Sequence, residues 1–353
     1  MQQQVSRDHH TVPKLYLRGF ADKRGELRSR HRDGHEDVLT IKQATVEVDF
    51  YDVGEANLLD DTLERWFGRE IESAVGDVMH NLRKGALPAP GPETEALAAF
   101  VAIQMVRTIT FRRQLQQMSS RIGPLIFANM VLDRALQRDP SLRASRDLAR
   151  WHASIAEVAP SETKQSDTKS IMRNMVRAAD TLKSQLQAMS FLLSTSADPK
   201  LVTGDSPVVA FDDQSDLPFT PIPLPDTYEI YLPVTPKVLL TVTPLPILGS
   251  SNGLSREHAD LVNKAIGRTC SDVVLRSPGM DWPADLILLP EPTPLRSPLV
   301  TVTRGGGAPA SQRSWPTVIH SEFEKALKIL GGDPVLADHA SPEAEPGGQT
   351  VRQ

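Results

Sequence analysis

Residues 168–196, TKSIMRNMVRAADTLKSQLQAMSFLLSTS, hold the point at which this chain changes character. Up to Met189 the segment reads as a helix, the last of a series. SFLLSTS is the first of several short β-prone runs separated by Pro, Asp and Gly. That division predicts an α+β fold. A helical layer over about residues 58–189 should pack on a small mixed or antiparallel sheet, formed by N-terminal strands and strands within 190–290.

Toward the N-terminus, Leu63, Trp66, Phe67, Ile71, Val75, Val78 and Leu82 recur at three- and four-residue steps, predicting one long amphipathic helix over 58–82. PAPGP ends it. ETEALAAFVAIQMVRTITFRRQLQQM then opens a second helix, with acidic residues where the helix dipole favours them. IGPLIFANMVLDRALQ and DLARWHASIAEV read as further helices. Pro13 suits the first turn of a helix of about two turns. ELRSRHRDGHEDVLTI is a hairpin about Asp33-Gly34, and VDFYDV adds a short strand. Beyond residue 196, LVTGDSPVVAF, YEIYLPV and KVLLTVTP are strands. SREHADLVNKAIGRTCSDVVLRS is a helix returning to a strand, DVVL, and DLILLP is one more strand. Residues 1–303 are expected to form a single domain. Residues 304–353 are expected to form a flexible linker, RGGGAPASQRS, and a tail with one short helix, SEFEKALKIL.

The 353 residues carry a net charge of −5, which excludes a global basic field for nucleic acid or anionic membranes. The single Cys270 excludes an intrachain disulfide and any thiolate metal cluster, and fits a reducing compartment. MQQQVSRDHH lacks a signal-peptide core, and Gln104 and Arg107 interrupt the most apolar run well short of a membrane span. A cytoplasmic protein with no membrane partner is the expectation.

HHTVPKLYLRGFAD carries the pattern His-x-x-Pro-x-x-Tyr-Leu-Arg-x-Phe. It is followed in order by DFYDV, the Glu64/Glu70 helix, FVAIQMVRT, LVTGDSPVV, YLPVTPKVLL and LVNKAI. Over roughly residues 8–280 this resembles a bacterial family catalogued as domain of unknown function 4238. The usual family pattern has Ser-Asp-Asn-Pro where this chain has Gly204-Asp205-Ser206-Pro207, and Arg-Thr-Pro where it has Arg107-Thr108-Ile109. The resemblance implies an α+β fold and no particular reaction.

Leu97, Phe100, Val101, Gln104 and Phe111 share one face of the second helix with Arg107 at its edge, so Gln104 and Arg107 are set in apolar surface. A guanidinium there needs partners, and Glu70 on the apolar stripe of the first helix, with Glu64 at its border, offers them. Asp205 lies where a strand reaches a turn, a place that suits either a functional carboxylate or an Asx-turn. His9 and His10 diverge in any regular backbone and are no metal pair. His10, matching the family His, is the candidate acid or base. Tyr16 and Arg18 cannot share a helix face, and Asn263 can tie its helix to a strand.

Two readings follow. In the first, His10, Glu70 and Asp205 are catalytic and Arg18, Gln104, Arg107 and Asn263 bind substrate, in a hydrolase acting on a phosphoester or other anionic substrate. A divalent ion could assist, although no strong metal motif is present. The substrate is then a small molecule or, for a nuclease, a nucleic acid, the latter disfavoured by the acidic net charge and scarce aromatics. The alternative is a non-catalytic binding or regulatory module in which the same residues form a structural network. Phosphate-loop, Gly-x-Ser-x-Gly and His-Glu-x-x-His motifs are absent from the sequence.

Overall fold

The computed structural model describes residues 7–52, 61–161, 167–212, 228–246, 253–288 and 321–331. The N-terminal part comprises β1 (Asp8–His10), α1 (Lys14–Leu17), β2 (Glu26–His31), β3 (Glu36–Thr40) and β4 (Val46–Val48). The helical layer follows: α2 (Thr62–Trp66), a π-helical turn (Phe67–Glu72), α3 (Gly76–Arg83), α4 (Pro92–Val106), α5 (Ile109–Arg138), a 3-10 turn (Pro140–Ala144), α6 (Leu148–Glu157) and α7 (Thr168–Leu186). Then come β5 (Ser190–Thr195), β6 (Thr203–Gly204), β7 (Val209–Asp212), β8 (Tyr228–Thr235), β9 (Val238–Thr243), α8 (Arg256–Thr269), β10 (Val273–Arg276) and α9 (Ser321–Ile329). The class is α+β, and every ladder between these strands is antiparallel. The strands divide into three sheets rather than one, in the orders β1-β4, β3-β2-β10-β6 and β5-β9-β8-β7.

The last of these sheets separates two apolar cores, which explains its nearly continuous apolar strands. Ile230, Leu232, Val238, Leu240 and Val242 face the main core with the helical layer. Val209, Phe211, Tyr231 and Leu239 face a second core closed by Ala259, Val262 and Ile266 of α8. The period-two alternation of a strand sorts these residues between faces. β10 is split the same way, with Val273 and Leu275 on one side and Val274 on the other.

The helices show where periodicity misleads. Instead of one helix over 58–82, α2 runs into the π-helical turn, with Ser73 N–H donating to Gly68 O at 3.1 Å, five residues back. The chain then turns before α3, leaving Ala74 exposed. Residues 58–60 of the expected helix lie outside the described residues. The second helix is also divided, bending by 61° between α4 and α5. Thr108 is extended (φ −124°, ψ 150°), and its side-chain oxygen accepts from Phe111 N–H at 3.1 Å, capping α5. α4 is apolar all round because it is enclosed: every residue from Leu97 to Gln104 is buried.

The hairpin about Asp33-Gly34 forms as β2 and β3, with Gly34 at φ +88°. The helix after Pro13 is one α-turn, shorter than expected, and a looser turn continues it to Phe20. A Cβ at Gly19 would collide with Val234 O, so this glycine lets the turn lie against β8. The strand expected at VDFYDV begins earlier, as β4. Phe50 and Tyr51 instead occupy a turn that drops both rings into the main core, and Val53 lies outside the described residues. DLILLP is not a strand over 285–288, where Leu286 packs against the second core; 289–290 are outside the described residues.

SEFEKALKIL forms α9, whose Phe323, Ala326 and Leu327 are buried in the main core. Lys183 of α7 pairs with Glu322, and Trp66 Nε1–H donates to Glu322 O at 2.9 Å. The RGGGAPASQRS linker and the terminal segment lie outside the described residues. No single helix among the described residues is long and apolar enough to cross a membrane.

Candidate functional site

The break between α4 and α5 throws Arg107 off the helix axis into a pocket of acceptors, leaving it 1% exposed. Nη1 donates to Glu72 at 3.1 Å and Nη2 to Glu64 at 3.2 Å. Nη2 also donates to the His10 carbonyl, and Nε to the Tyr51 hydroxyl oxygen. The guanidinium lies 4.3 Å from the centroid of the Phe67 ring and 5.0 Å from that of Tyr51. Close beside it, His9 Nδ1 accepts from Tyr51 N–H at 2.8 Å. One buried cation thus joins β1, the turn after β4, the π-helical turn and α4. Burial, opposed by Arg107, holds the Glu64 carboxyl above the ordinary range.

The π-helical turn selects the carboxylates. Glu64 and Glu72 would lie about 80° apart around a regular α-helix, eight residues being just over two turns. The wider turn between them reduces that angle and brings both to Arg107. It carries Glu70 away, to an ion pair with Lys325 of α9 at 2.9 Å. The partner expected for Arg107 is therefore replaced: Glu64 is retained, Glu72 substitutes for Glu70.

A buried carboxylate, Asp205, serves the sheet edge. Asp205 accepts from the N–H groups of Ser271 and Asp272, both at 2.7 Å, and Val273 at 3.2 Å, joining the segment after β6 to the start of β10. Burial outweighs these bonds, and its carboxyl is pushed up to about 6. Thr110 at the start of α5 shares a 2.7 Å hydroxyl–hydroxyl bond with Ser271, so this turn sits beside the same helix break. Asn263 accepts from Val202 N–H at 3.0 Å and donates to Lys200 O at 2.7 Å, tying α8 to the segment just before β6. Tyr16 bonds Thr203 at 2.8 Å and Pro233 O at 2.5 Å.

The sequence candidates are thus distributed over several contacts. His10 reaches Arg107 through its carbonyl, while its buried ring has an Nδ1 without a hydrogen-bond partner among the described residues. Gln104 is 1% exposed, and neither of its amide atoms has such a partner. Arg18 is exposed and takes no part in the Arg107 contacts. Among the described residues no three His, Cys, Asp or Glu side chains are grouped to hold a metal ion. Sequence reasoning missed His9, Tyr51 and Glu72. The pair of aromatics between two aspartates in DFYDV was the available signal for Tyr51; nothing distinguished Glu72 without the π-helical turn.

Two of these groups make opposed predictions for stability against pH. Burial, with the nearby Lys14 charge, lowers His10 to about 4, so its contribution is complete above about 6.5 and lost as pH falls through 4. Asp205 is raised, so its contribution is complete below about 3.8 and lost as pH rises through 6. Each effect is on the order of 3 kcal/mol. From pH 4 to 6.5, His10→Gln should therefore lose stability and Asp205→Asn should gain it, while the wild type stays flatter than either. Urea midpoints at the two pH values check this; three parallel profiles would contradict it.

The fold and these contacts define an α+β protein in which buried Arg107, Asp205 and Asn263 bind its own backbone and side chains. The chain belongs to the family described as Protein of unknown function (DUF4238), whose model matches residues 8–279. No curated protein and no solved structure matches it.

Proposed function

We propose that this chain is a non-catalytic binding module whose buried polar network fixes the packing of its fold. The support is the saturation of the groups a hydrolase would need: Arg107 is held by two carboxylates, a phenol oxygen and a carbonyl, and both Asp205 oxygens accept backbone N–H groups. An arginine committed in this way has no face to offer an anion, and its removal would act first on folding. A cytoplasmic setting belongs to the same proposal, supported by the free, buried Cys270.

His10 and Gln104 favour the second reading, hydrolysis of a phosphoester or other anionic substrate, because their buried polar atoms lack partners among the described residues. An assay of the full chain against phosphoesters, oligonucleotides and peptides, with and without divalent metal, separates the two. The binding-module reading expects no turnover, with His10→Ala and Asp205→Ala lowering the thermal midpoint. Turnover that His10→Ala abolishes at an unchanged midpoint would establish the hydrolase instead.

A further inference from the structure

Helices α5 and α6 form an arm that the cores do not use. Past Leu115, no described side chain of α5 or α6 belongs to either apolar core, and α6 buries none of its residues. α6 packs along α5, with His152 Nε2 at 3.3 Å from Leu125 O. The opposite side of α5 leaves Met118, Leu125, Ile126 and Met130 45–54% exposed, and α6 adds Trp151. On the helical repeat these four α5 residues share one side of the helix, with Asn129 and Asp133 among them and Arg134 at its border.

The charge of the arm opposes that of the rest of the chain. Residues 116–158 hold six arginines, no lysine and four acidic residues, a net +2 in a chain of −5, which leaves −7 elsewhere. Arg134, Arg138, Arg143, Arg146 and Arg150 are exposed, and none pairs with a carboxylate among the described residues. The occupant of this face must supply anions to the arginines and hydrocarbon to the Met, Leu and Ile side chains.

We infer that the α5–α6 arm docks on the surface of an anionic lipid bilayer. Headgroup phosphates meet the guanidinium groups, and Leu125, Ile126 and Met130 enter the headgroup–acyl boundary. A nucleic-acid backbone would satisfy the arginines and leave the apolar stripe in water. A second copy meeting arm to arm would set +2 against +2. The expectation of no membrane partner rested on the acidic net charge and the lack of a spanning segment; the inference departs from it, because a local basic arm can act within an acidic chain and surface docking needs no span. The inference rests on the binding-module reading and names its partner.

The experiment is co-sedimentation of the full chain with vesicles of phosphatidylcholine alone or mixed with phosphatidylglycerol. Expected is sedimentation with the mixed vesicles only, weakened by salt, and weakened roughly tenfold or more by Ile126→Glu/Met130→Glu and by Arg134→Glu/Arg138→Glu. Thermal midpoints of both variants should match the wild type, because these side chains lie outside the cores. Absence of binding to mixed vesicles overturns the inference, as does binding that Ile126→Glu/Met130→Glu leaves intact. So does a lipid-free dimer that this variant dissociates, which would assign the face to a second copy. Failure here without catalytic turnover removes only the bilayer; turnover dependent on His10 removes the binding-module reading itself.

Discussion

Replacing Arg107 by Met should destabilise the protein by about 3–5 kcal/mol, the cost of breaking a buried ion pair from one side. The methionine fills much of the volume but leaves Glu64, Glu72, the Tyr51 hydroxyl and the His10 carbonyl without their shared donor. Domains of ordinary stability have only about 5–15 kcal/mol in total, so this variant should lie near the edge of folding at ambient temperature. Arg107→Lys should recover little, because one ammonium cannot present the planar fork that meets four acceptors from different elements. Urea unfolding of the two variants beside the wild type provides the measurement.

Asp205→Ala should cost about 3 kcal/mol at pH 5, with the loss concentrated at the edge of one sheet. Three backbone N–H groups lose their acceptor together, and each buried orphan costs about 1–3 kcal/mol, reduced where water can enter. The raised pKa of Asp205 moderates the loss at higher pH, since the ionised carboxylate is itself strained by burial there. β6 and β10 share only a short pairing, Gly204 with Val274 and Thr203 with Leu275. Amide exchange at Ser271, Asp272 and Val273 should accelerate far more than exchange in β9. Uniform acceleration across both sheets would show that Asp205 supports the whole fold and not this edge.

The strongest sequence signals were those set by local chemistry. The change from helix to strand after Met189, the Asp33-Gly34 hairpin and the α8–β10 return each follow from periodicity or turn residues within a few positions. The burial of Arg107 was equally legible, because a guanidinium on the face of an apolar helix must find partners. Its particular partners were not. Angular arguments assume 3.6 residues per turn, and a single π-helical turn moves Glu70 outward and Glu72 inward without changing the composition. The break at Arg107-Thr108 had a partial signal in the family pattern Arg-Thr-Pro. A proline at the position of Ile109 would stand at the first turn of α5, where proline is favoured after a capping threonine. Long-range choices left no trace of this kind. His9 and Tyr51 meet because β1 pairs with β4, and three small sheets form because short strands find different neighbours.

The central claim, that the polar residues at the α4–α5 break are committed to the fold, is tested most directly by a urea double-mutant cycle. It compares the wild type, Arg107→Met, Glu64→Leu/Glu72→Leu and the combination of all three. If the cation and carboxylates exist to satisfy one another, removing all three restores at least about 2 kcal/mol of what Arg107→Met alone loses. Effects that simply add, or an Arg107→Met midpoint equal to that of the wild type, would contradict the account.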